Sequence, residues 1–368
     1  MPVVPVETSS ARYPVIIQPG LLAELPARLA ALPVPCHSIF AVTSPEIWTA
    51  WGAVLADAFT AAGLSLHRLD VPAGEWHKRL RTIERLAIAM SRAGARRDAL
   101  LLAFGGGVIG DMTGFLASIY MRGVAYVQVP TTFLAQIDSS VGGKTGVNLV
   151  SGKNLIGSFH HPRAVFCDPA VLTTLPAAEL RAGLVEAVKA AVLGDAAFFD
   201  QLENGLDKLL AGDLDALAAA IERSVRIKAE IVGADERESG RRMLLNLGHT
   251  VGHAIEAATG YSRLLHGEAV AWGMMAALQL AVARGALEKQ DAARVEALLF
   301  RLGPLRKFPA APTRLLRLTE GDKKHLHGQR RFVLPVAIGR AVVVEDVSDA
   351  ELEAAIRAML RTMKERGA

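Results

Sequence analysis

The sequence predicts an α/β domain built on a Rossmann-like parallel sheet, followed by a mainly α-helical domain. Three observations carry this prediction. Short apolar runs alternate with amphipathic helical stretches up to about residue 175, a G-x-G-x-x-G stands at one strand-to-helix junction, and long Ala/Leu-rich helical runs follow. Strand–helix alternation implies crossover connections, which cover both faces of a parallel sheet.

In order, strands are expected over residues 13–18, 37–43, 64–71, 99–104 and 125–130, each a short run dominated by large or β-branched apolar residues. Between them, residues 21–32, 46–62, 78–94 and 110–120 carry helical spacing of apolar positions. Beyond, helices are expected over 177–193, 196–210, 214–234, 244–259, 268–284 and 290–302. Residues 331–347 read as a hairpin turning at Gly339-Arg340, and Ser348-Asp349 are good caps for a final helix. The expected division is residues 1–175 for a nucleotide-binding domain and 176–368 for a helical metal and substrate domain.

Composition narrows the class. With 51% apolar and 21% charged residues, the chain is ordinary for a soluble enzyme. Two cysteines, Cys36 and Cys167, cannot build a disulfide framework, so a cytoplasmic location is expected. The first residues lack a basic stretch leading into an apolar one, so no secretory signal is expected. The longest apolar run, 269–283, contains Gln279 and is too short to span a bilayer, so no membrane partner is expected. A net charge of +4 without a basic–aromatic tract argues against nucleic acid.

One segment is the most telling. Wound as a helix, residues 242–256 place Arg242, Asn246, His249, His253 and Glu256 within an arc of roughly 80° on an otherwise apolar surface. His249 and His253, one turn apart, have metal-ligand spacing, and the same pair also suits two satisfied core histidines. A second segment, Gly105-Gly-Gly107-Val-Ile-Gly110, follows a predicted strand and opens a helix, as a pyrophosphate cradle requires. The acidic residue usual about 20 positions later is missing, since that region reads Met121-Arg122-Gly123. A dinucleotide is the preferred ligand, with a bare βα turn as the alternative. A third segment sets Asp138, Lys144, Lys153 and Asn154 among Gly142, Gly143, Gly146 and Gly152, which suits anion binding although the spacing is not that of a Walker A loop.

The blocks GGGVIGDMTGFLASIYMRG, VPTTFLAQIDSSVGGKTGVN, GKNLIGSFHHP, LLNLGHTVGHAIE, LHGEAVAWGM and GDKK with RRFVLP closely resemble the 3-dehydroquinate synthases. The resemblance runs from about Tyr13 to Val347. It implies conversion of 3-deoxy-D-arabino-heptulosonate 7-phosphate, a sugar phosphate, to 3-dehydroquinate and phosphate, the second step of the shikimate pathway. The implied sequence is transient oxidation, phosphate elimination, reduction and an intramolecular aldol closure. NAD, a divalent metal (Zn2+ or Co2+) and a homodimer are implied with it.

By the same resemblance the metal ligands are Glu186, His249 and His266, which moves His253 to the substrate side. Asp138, Lys144, Lys153, Asn154, Lys189, Lys228, Arg242, Asn246 and His253 would surround the substrate, joined by one of Lys323 and Lys324. Arg122 would reach across the dimer. Glu75 and Lys78 match the adenosine-ribose contacts, and Gly106, Gly107, Asp111, Thr131 and Thr132 complete the dinucleotide site, with Lys144 and Lys153 near it. Departures from the family pattern are Ser44-Pro45 after the second strand, Val185 before Glu186, and Trp272. A polyol dehydrogenase, a cyclase acting on a phosphate without a carboxylate, and a non-catalytic zinc-binding or scaffold protein are the rival readings.

Overall fold

A topological switch in a parallel sheet dominates the first half of the chain. The structure, a computed structural model, describes residues 2–34, 38–238, 240–261, 263–320 and 331–368. Its strands are β1 (Val3–Glu7), β2 (Arg12–Ile17), β3 (Ser38–Thr43), β4 (Leu66–Asp70), β5 (Ala99–Gly105), β6 (Ala125–Pro130), β7 (Lys144–Leu149), β8 (Gly152–Phe159), β9 (Val165–Cys167), β10 (Phe332–Ala337) and β11 (Arg340–Val344). Its helices are α1 (Leu21–Ala30), α2 (Pro45–Ala61), α3 (Leu80–Arg92), α4 (Gly107–Ile119), α5 (Ala177–Gly194), α6 (Ala196–Leu210), α7 (Leu214–Ala234), α8 (His249–Ala258), α9 (His266–Ala283), α10 (Lys289–Arg301), α11 (Pro312–Thr319) and α12 (Asp349–Arg366).

The chain forms two compact units, Met1–Pro176 with Gly212–Glu236, and Ala177–Ala211 with Arg237–Ala368. This differs from a single cut after residue 175 in one respect. Helix α7 lies against β1 and β2, so its apolar face belongs to the first unit.

In that unit seven strands run in the order β1-β2-β9-β6-β5-β3-β4. Only the β1–β2 pair is antiparallel. Phe40, Val42 and Leu101 share a core with Ile83, Leu86 and Met90 of α3 and Met112, Phe115 and Leu116 of α4. The alternate residues Ile39, Ala41, Leu100 and Leu102 are equally buried and point to the opposite face, as strand pleat requires. The order reverses between β3 and β5, and their carboxyl ends flank the crevice where such sheets bind ligands.

Buried Asp168 caps two elements at once. Its carboxylate accepts from Gly20 and Leu22 N at 2.8 and 2.9 Å, at the start of α1, and from Ala170 N at 2.9 Å. Ser44 N-caps α2, accepting from Ile47 N, with Pro45 in the first turn, so this departure from the family pattern serves local structure.

The second unit is a helical assembly around α9, whose residues from Gly267 to Ala281 are almost all buried, Trp272 included. A helix covered on every side has to be apolar all round, and the run expected over 268–284 has that character. Helices α5, α8, α10 and α12 all pack on it, and the hairpin of β10 and β11 turns at Gly339.

Strands β1, β7, β8 and β9 and helix α11 were not expected. The glycine-rich stretch expected as a loop is the β7–β8 hairpin, in which Gly146 pairs with Gly157. A Cβ on Gly157 would lie 2.1 Å from Thr145 O, so the strands require glycine there.

At the end of α7 the buried Glu236 carboxylate accepts hydrogen bonds from the Ser9 and Ser10 hydroxyls and pairs with His161 Nε2 at 3.0 Å. Burial alone would raise its pKa, but the Ser10, Ser9 and His161 contacts outweigh it and hold the carboxyl at about 2 against 4.5. A lowered folded-state pKa gives stability that is present above the unfolded value and lost as pH falls. The stability advantage of wild type over Glu236→Gln, measured by urea unfolding, should therefore be flat at neutral pH and shrink from pH 4.5 toward about 2. An advantage unchanged across that window would contradict this role.

Candidate metal and dinucleotide sites

In the second unit the polar stripe expected as one helix is broken. Residues Arg241–Asn246 form a 3-10 turn, Gly248 adopts φ 77°, and α8 begins only at His249. The break takes Arg242 and Asn246 off the helical face and leaves His249, His253 and Glu256 on it. Gly248 has no room for a side chain, since a Cβ would sit 2.7 Å from Met274 Cγ.

Two close backbone crossings then assemble the site. A Cβ on Gly267 would meet Ala182 O at 2.0 Å, and one on Gly273 would meet Gly248 O at 1.9 Å. Helix α9 therefore touches α5 and α8 backbone to backbone. As a result Glu186 of α5, His249 at the start of α8 and His266 at the start of α9 bring their ligand atoms within 4.8 Å of one another. His266 Nε2 lies 3.5 Å and His249 Nε2 3.8 Å from Glu186 Oε1.

The other ring nitrogens are also engaged. His249 Nδ1 lies 3.1 Å from Leu247 O and His266 Nδ1 lies 3.5 Å from Glu256 Oε1. A proton on each Nδ1 leaves both Nε2 lone pairs directed at Glu186. Burial would raise the Glu186 carboxyl, but Lys189 and His266 hold it well below the usual carboxylate range. Burial and then Lys189 push His249 down to about 3, so its ring is neutral. His266 is carried up to about 9, against its own burial, by Glu186 and Glu256, so its Nε2 lone pair becomes available when a bound cation displaces the proton there. Lys189 Nζ pairs with Glu186 Oε2 at 2.5 Å, yet neither Glu186 oxygen has a hydrogen bond of good geometry. A buried carboxylate and two imidazole lone pairs are the donor set of a catalytic divalent metal with open positions, so these residues fit such an ion.

His253 stands apart from this set. Its ring meets His249 edge-on at 5.3 Å, it is exposed, and it is not part of the three-residue cluster. Neither a His249/His253 ligand pair nor a pair of core histidines describes this arrangement.

The first unit holds the other cluster. Gly105, Gly106 and Gly107 turn β5 into α4, and added Cβ atoms would meet Ile109 at 2.6 Å, Thr132 Cγ2 at 3.0 Å and Ser139 Oγ at 2.9 Å. Thr131 N donates to Gly105 O at 3.1 Å and Thr132 Oγ1 accepts from Ala135 N at 3.1 Å, which ties the segment after β6 to the loop. The amides opening α4 thus lie at the switch point, beside the buried Ser139 hydroxyl, which lacks a partner among the described residues. Bare backbone at a helix start with hydroxyls around it fits a dinucleotide pyrophosphate.

Nearby, buried Lys78 pairs with Asp111 Oδ2 at 2.5 Å and donates to Asn154 Oδ1. Burial pushes the Asp111 carboxyl up, and the Lys78 ammonium opposes that rise. Asn148 links the rest, donating to Glu75 Oε1 at 2.7 Å and accepting from Asn154 N at 2.8 Å. Lys228 Nζ reaches Asp138 O at 2.7 Å and its carboxylate as well.

Models of the N-terminal and C-terminal regions of 3-dehydroquinate synthase match residues 68–182 and 183–325. The chain belongs to the 3-dehydroquinate synthase family. A member from Solibacter usitatus is 45% identical over 98% of this chain and 100% of its own. Among solved structures, a 2-epi-5-epi-valiolone synthase from Streptomyces hygroscopicus subsp. jinggangensis with NAD+ and Zn2+ bound superposes with a TM-score of 0.87. It is 34% identical over 95% of this chain and 97% of its own. A 2-deoxy-scyllo-inosose synthase complexed with carbaglucose-6-phosphate, NAD+ and Co2+ has a TM-score of 0.87 at 25% identity, over 97% of this chain and 100% of its own.

The residues that the family resemblance singles out thus fall into two groups. Glu186, Lys189, His249, His253 and His266 cluster in the second unit, with Arg242 buried and Asn246 Nδ2 donating to Glu238 Oε1 at 2.9 Å. Glu75, Lys78, Asp111 and Asn154 are linked in the first unit, as are Asp138 and Lys228, while Lys144 is exposed at the base of the β7–β8 hairpin and Lys153 lies beside its turn. Arg122 is exposed with φ 69° in a left-handed turn between Met121 and Gly123. Lys323 and Lys324 lie outside the described residues. Sequence reasoning gave no role to Asn148, Glu238 or Glu256. Of these only Glu256 had a signal, its place on the polar stripe.

Because the Gly273 crossing holds α8 against α9, Gly273→Ala should cost at least about 1–3 kcal/mol in urea unfolding and weaken zinc retention. Wild-type stability and zinc retention in that variant would contradict the crossing as the support of the cluster.

Proposed function

We propose that this chain converts 3-deoxy-D-arabino-heptulosonate 7-phosphate to 3-dehydroquinate and phosphate, as a lyase that uses NAD and a divalent metal, zinc or cobalt. The observation that carries the reading is the Glu186–His249–His266 cluster beside Lys189, in a chain 45% identical to a curated 3-dehydroquinate synthase. Glu186, His249 and His266 would hold the metal. Bound there, it supplies Lewis acidity toward substrate hydroxyls. Gly106, Gly107, Asp111, Thr131, Thr132, Glu75 and Lys78 would hold the dinucleotide. Its nicotinamide supplies reversible hydride transfer, and phosphate loss from the oxidised sugar then needs no net oxidant.

The chain's own polar groups do the positioning. Lys144, Lys153, Asn154, Arg242 and Asn246 offer donors for the phosphate and carboxylate of the substrate. Lys228, anchored by Asp138, holds a fixed cation, and Lys189 keeps Glu186 ionised. His253, exposed beside His249, would exchange a proton with the substrate during elimination. One of Lys323 and Lys324 would complete the set.

Arg122 would serve a second copy of the chain. Met121 and Arg122 both have positive φ, 49° and 69°, which is strained for residues with a side chain, and the turn presents Arg122 outward. Ile119 and Met121 beside it are half exposed, which suits burial in a homodimer. A cytoplasmic location agrees with Cys167 being a buried free thiol. Among the described residues no helix is long and apolar enough to cross a membrane.

The test is phosphate release from the heptulosonate phosphate in the presence of NAD+ and Zn2+, with NADH absorbance followed in the same cuvette. Phosphate without net NADH, abolished by a chelator, is expected. NADH accumulating without phosphate would instead establish a dehydrogenase, and the absence of both signals would overturn the proposal. His266→Ala should lose both metal and activity while folding. His253→Ala should keep the metal and lower kcat by roughly 10²–10⁴-fold. Loss of zinc from His253→Ala would contradict the ligand assignment.

A further inference from the structure

One buried acid belongs to neither the ligand set nor the substrate set. Glu256 sits in the last turn of α8, where the carbonyl end of the helix disfavours an anion, and its side chain is only 7% exposed. Burying a carboxylate at that end is doubly unfavourable unless a partner compensates for it. One partner faces it from the first residue of α9: Glu256 Oε1 lies 3.5 Å from His266 Nδ1, while His266 Nε2 lies 3.5 Å from Glu186 Oε1. The carboxylate, imidazole and ligand carboxylate therefore form a chain across three helices, α8, α9 and α5.

We propose that Glu256 is a positioning residue for the metal site: by accepting the Nδ1 proton of His266 it fixes the tautomer and ring orientation that aim Nε2 at the metal. The inference rests on the metal reading above. The two histidines are held differently. His249 is the first residue of α8 and is oriented by the carbonyl of Leu247, two residues earlier in the chain. His266 is one-third exposed, and a ring flip or tautomer change there would present an N–H to the metal and remove a ligand. The carboxylate at Nδ1 opposes both changes and makes the ring a stronger donor, as buried partners of metal-bound histidines do.

The test compares zinc dissociation constants of wild type, Glu256→Gln, Glu256→Ala and His266→Ala by competition with a chromophoric chelator. The ¹⁵N shifts of His266 report its tautomer. Glu256→Ala should bind zinc roughly 10–100-fold more weakly, with mixed His266 tautomers and kcat largely recovered at saturating zinc. Glu256→Gln, isosteric and still able to accept from Nδ1, should keep the tautomer and fall between wild type and Glu256→Ala. Dissociation constants within about twofold of wild type in both folded variants would overturn the inference, given the effect usual for such partners. A lowered melting temperature with unchanged zinc affinity would overturn it too, by assigning Glu256 a structural role only. If Glu256→Ala does not fold, Glu256→Gln alone decides. Should wild type itself fail to hold zinc better than His266→Ala, the metal reading falls first and the inference with it.

Discussion

The crossing of α9 over α5 and α8 at bare backbone is the constraint from which the metal cluster follows. Gly267 lies against Ala182 and Gly273 against Gly248, with no space for a methyl group at either point. Helices with ordinary side chains at the contact pack at 8–10 Å between axes. Removing the side chains allows the closer approach that lets Glu186, His249 and His266, from three helices, converge. It also explains why α9 is apolar all round. Beyond its first turn, where Glu268 pairs with Arg306, a helix enclosed by α5, α8, α10 and α12 has no wet face on which to place charge.

Charge compensation follows the same logic at each cluster. Glu186 faces Lys189, Asp111 faces Lys78, and Asp138 faces Lys228. The outcomes differ with the surroundings. Lys189 and His266 hold Glu186 well below the usual range, whereas burial dominates at Asp111 and raises it. An ionised Glu186 next to a neutral His249 suits a cation. A lysine already paired inside the dinucleotide region gives Lys78 and Asp111 a fixed geometry before any ligand arrives, which lowers the ordering cost of binding.

Much of this was legible in the residues, and the failures have physical causes. The central strands β3, β5 and β6 and helices α5, α6 and α7 followed their predicted bounds within one or two residues, because burial on both faces or along one stripe leaves a strong pattern. The β7–β8 hairpin was hidden, since its cross-strand Gly146 and Gly157 read as loop residues and the reason for them is a neighbouring backbone. Helix periodicity ran unbroken through residues 244–259, while the real chain turns at Gly248. A left-handed glycine leaves no trace in an apolar pattern. Spacing alone favoured His249 with His253. The cluster member from α9 is distant in sequence, so only the family blocks pointed to His266. Glu256 lay on the predicted stripe, but its partner across the helix crossing could not be read from one helix.

The most direct test of the central claim is X-ray absorption spectroscopy of the zinc-loaded protein. Two imidazoles with oxygen ligands at about 2.0–2.2 Å are predicted, reduced to one imidazole in His266→Ala and unchanged in His253→Ala. A third imidazole in wild type, or a shell that responds to His253 and not to His266, would contradict the account.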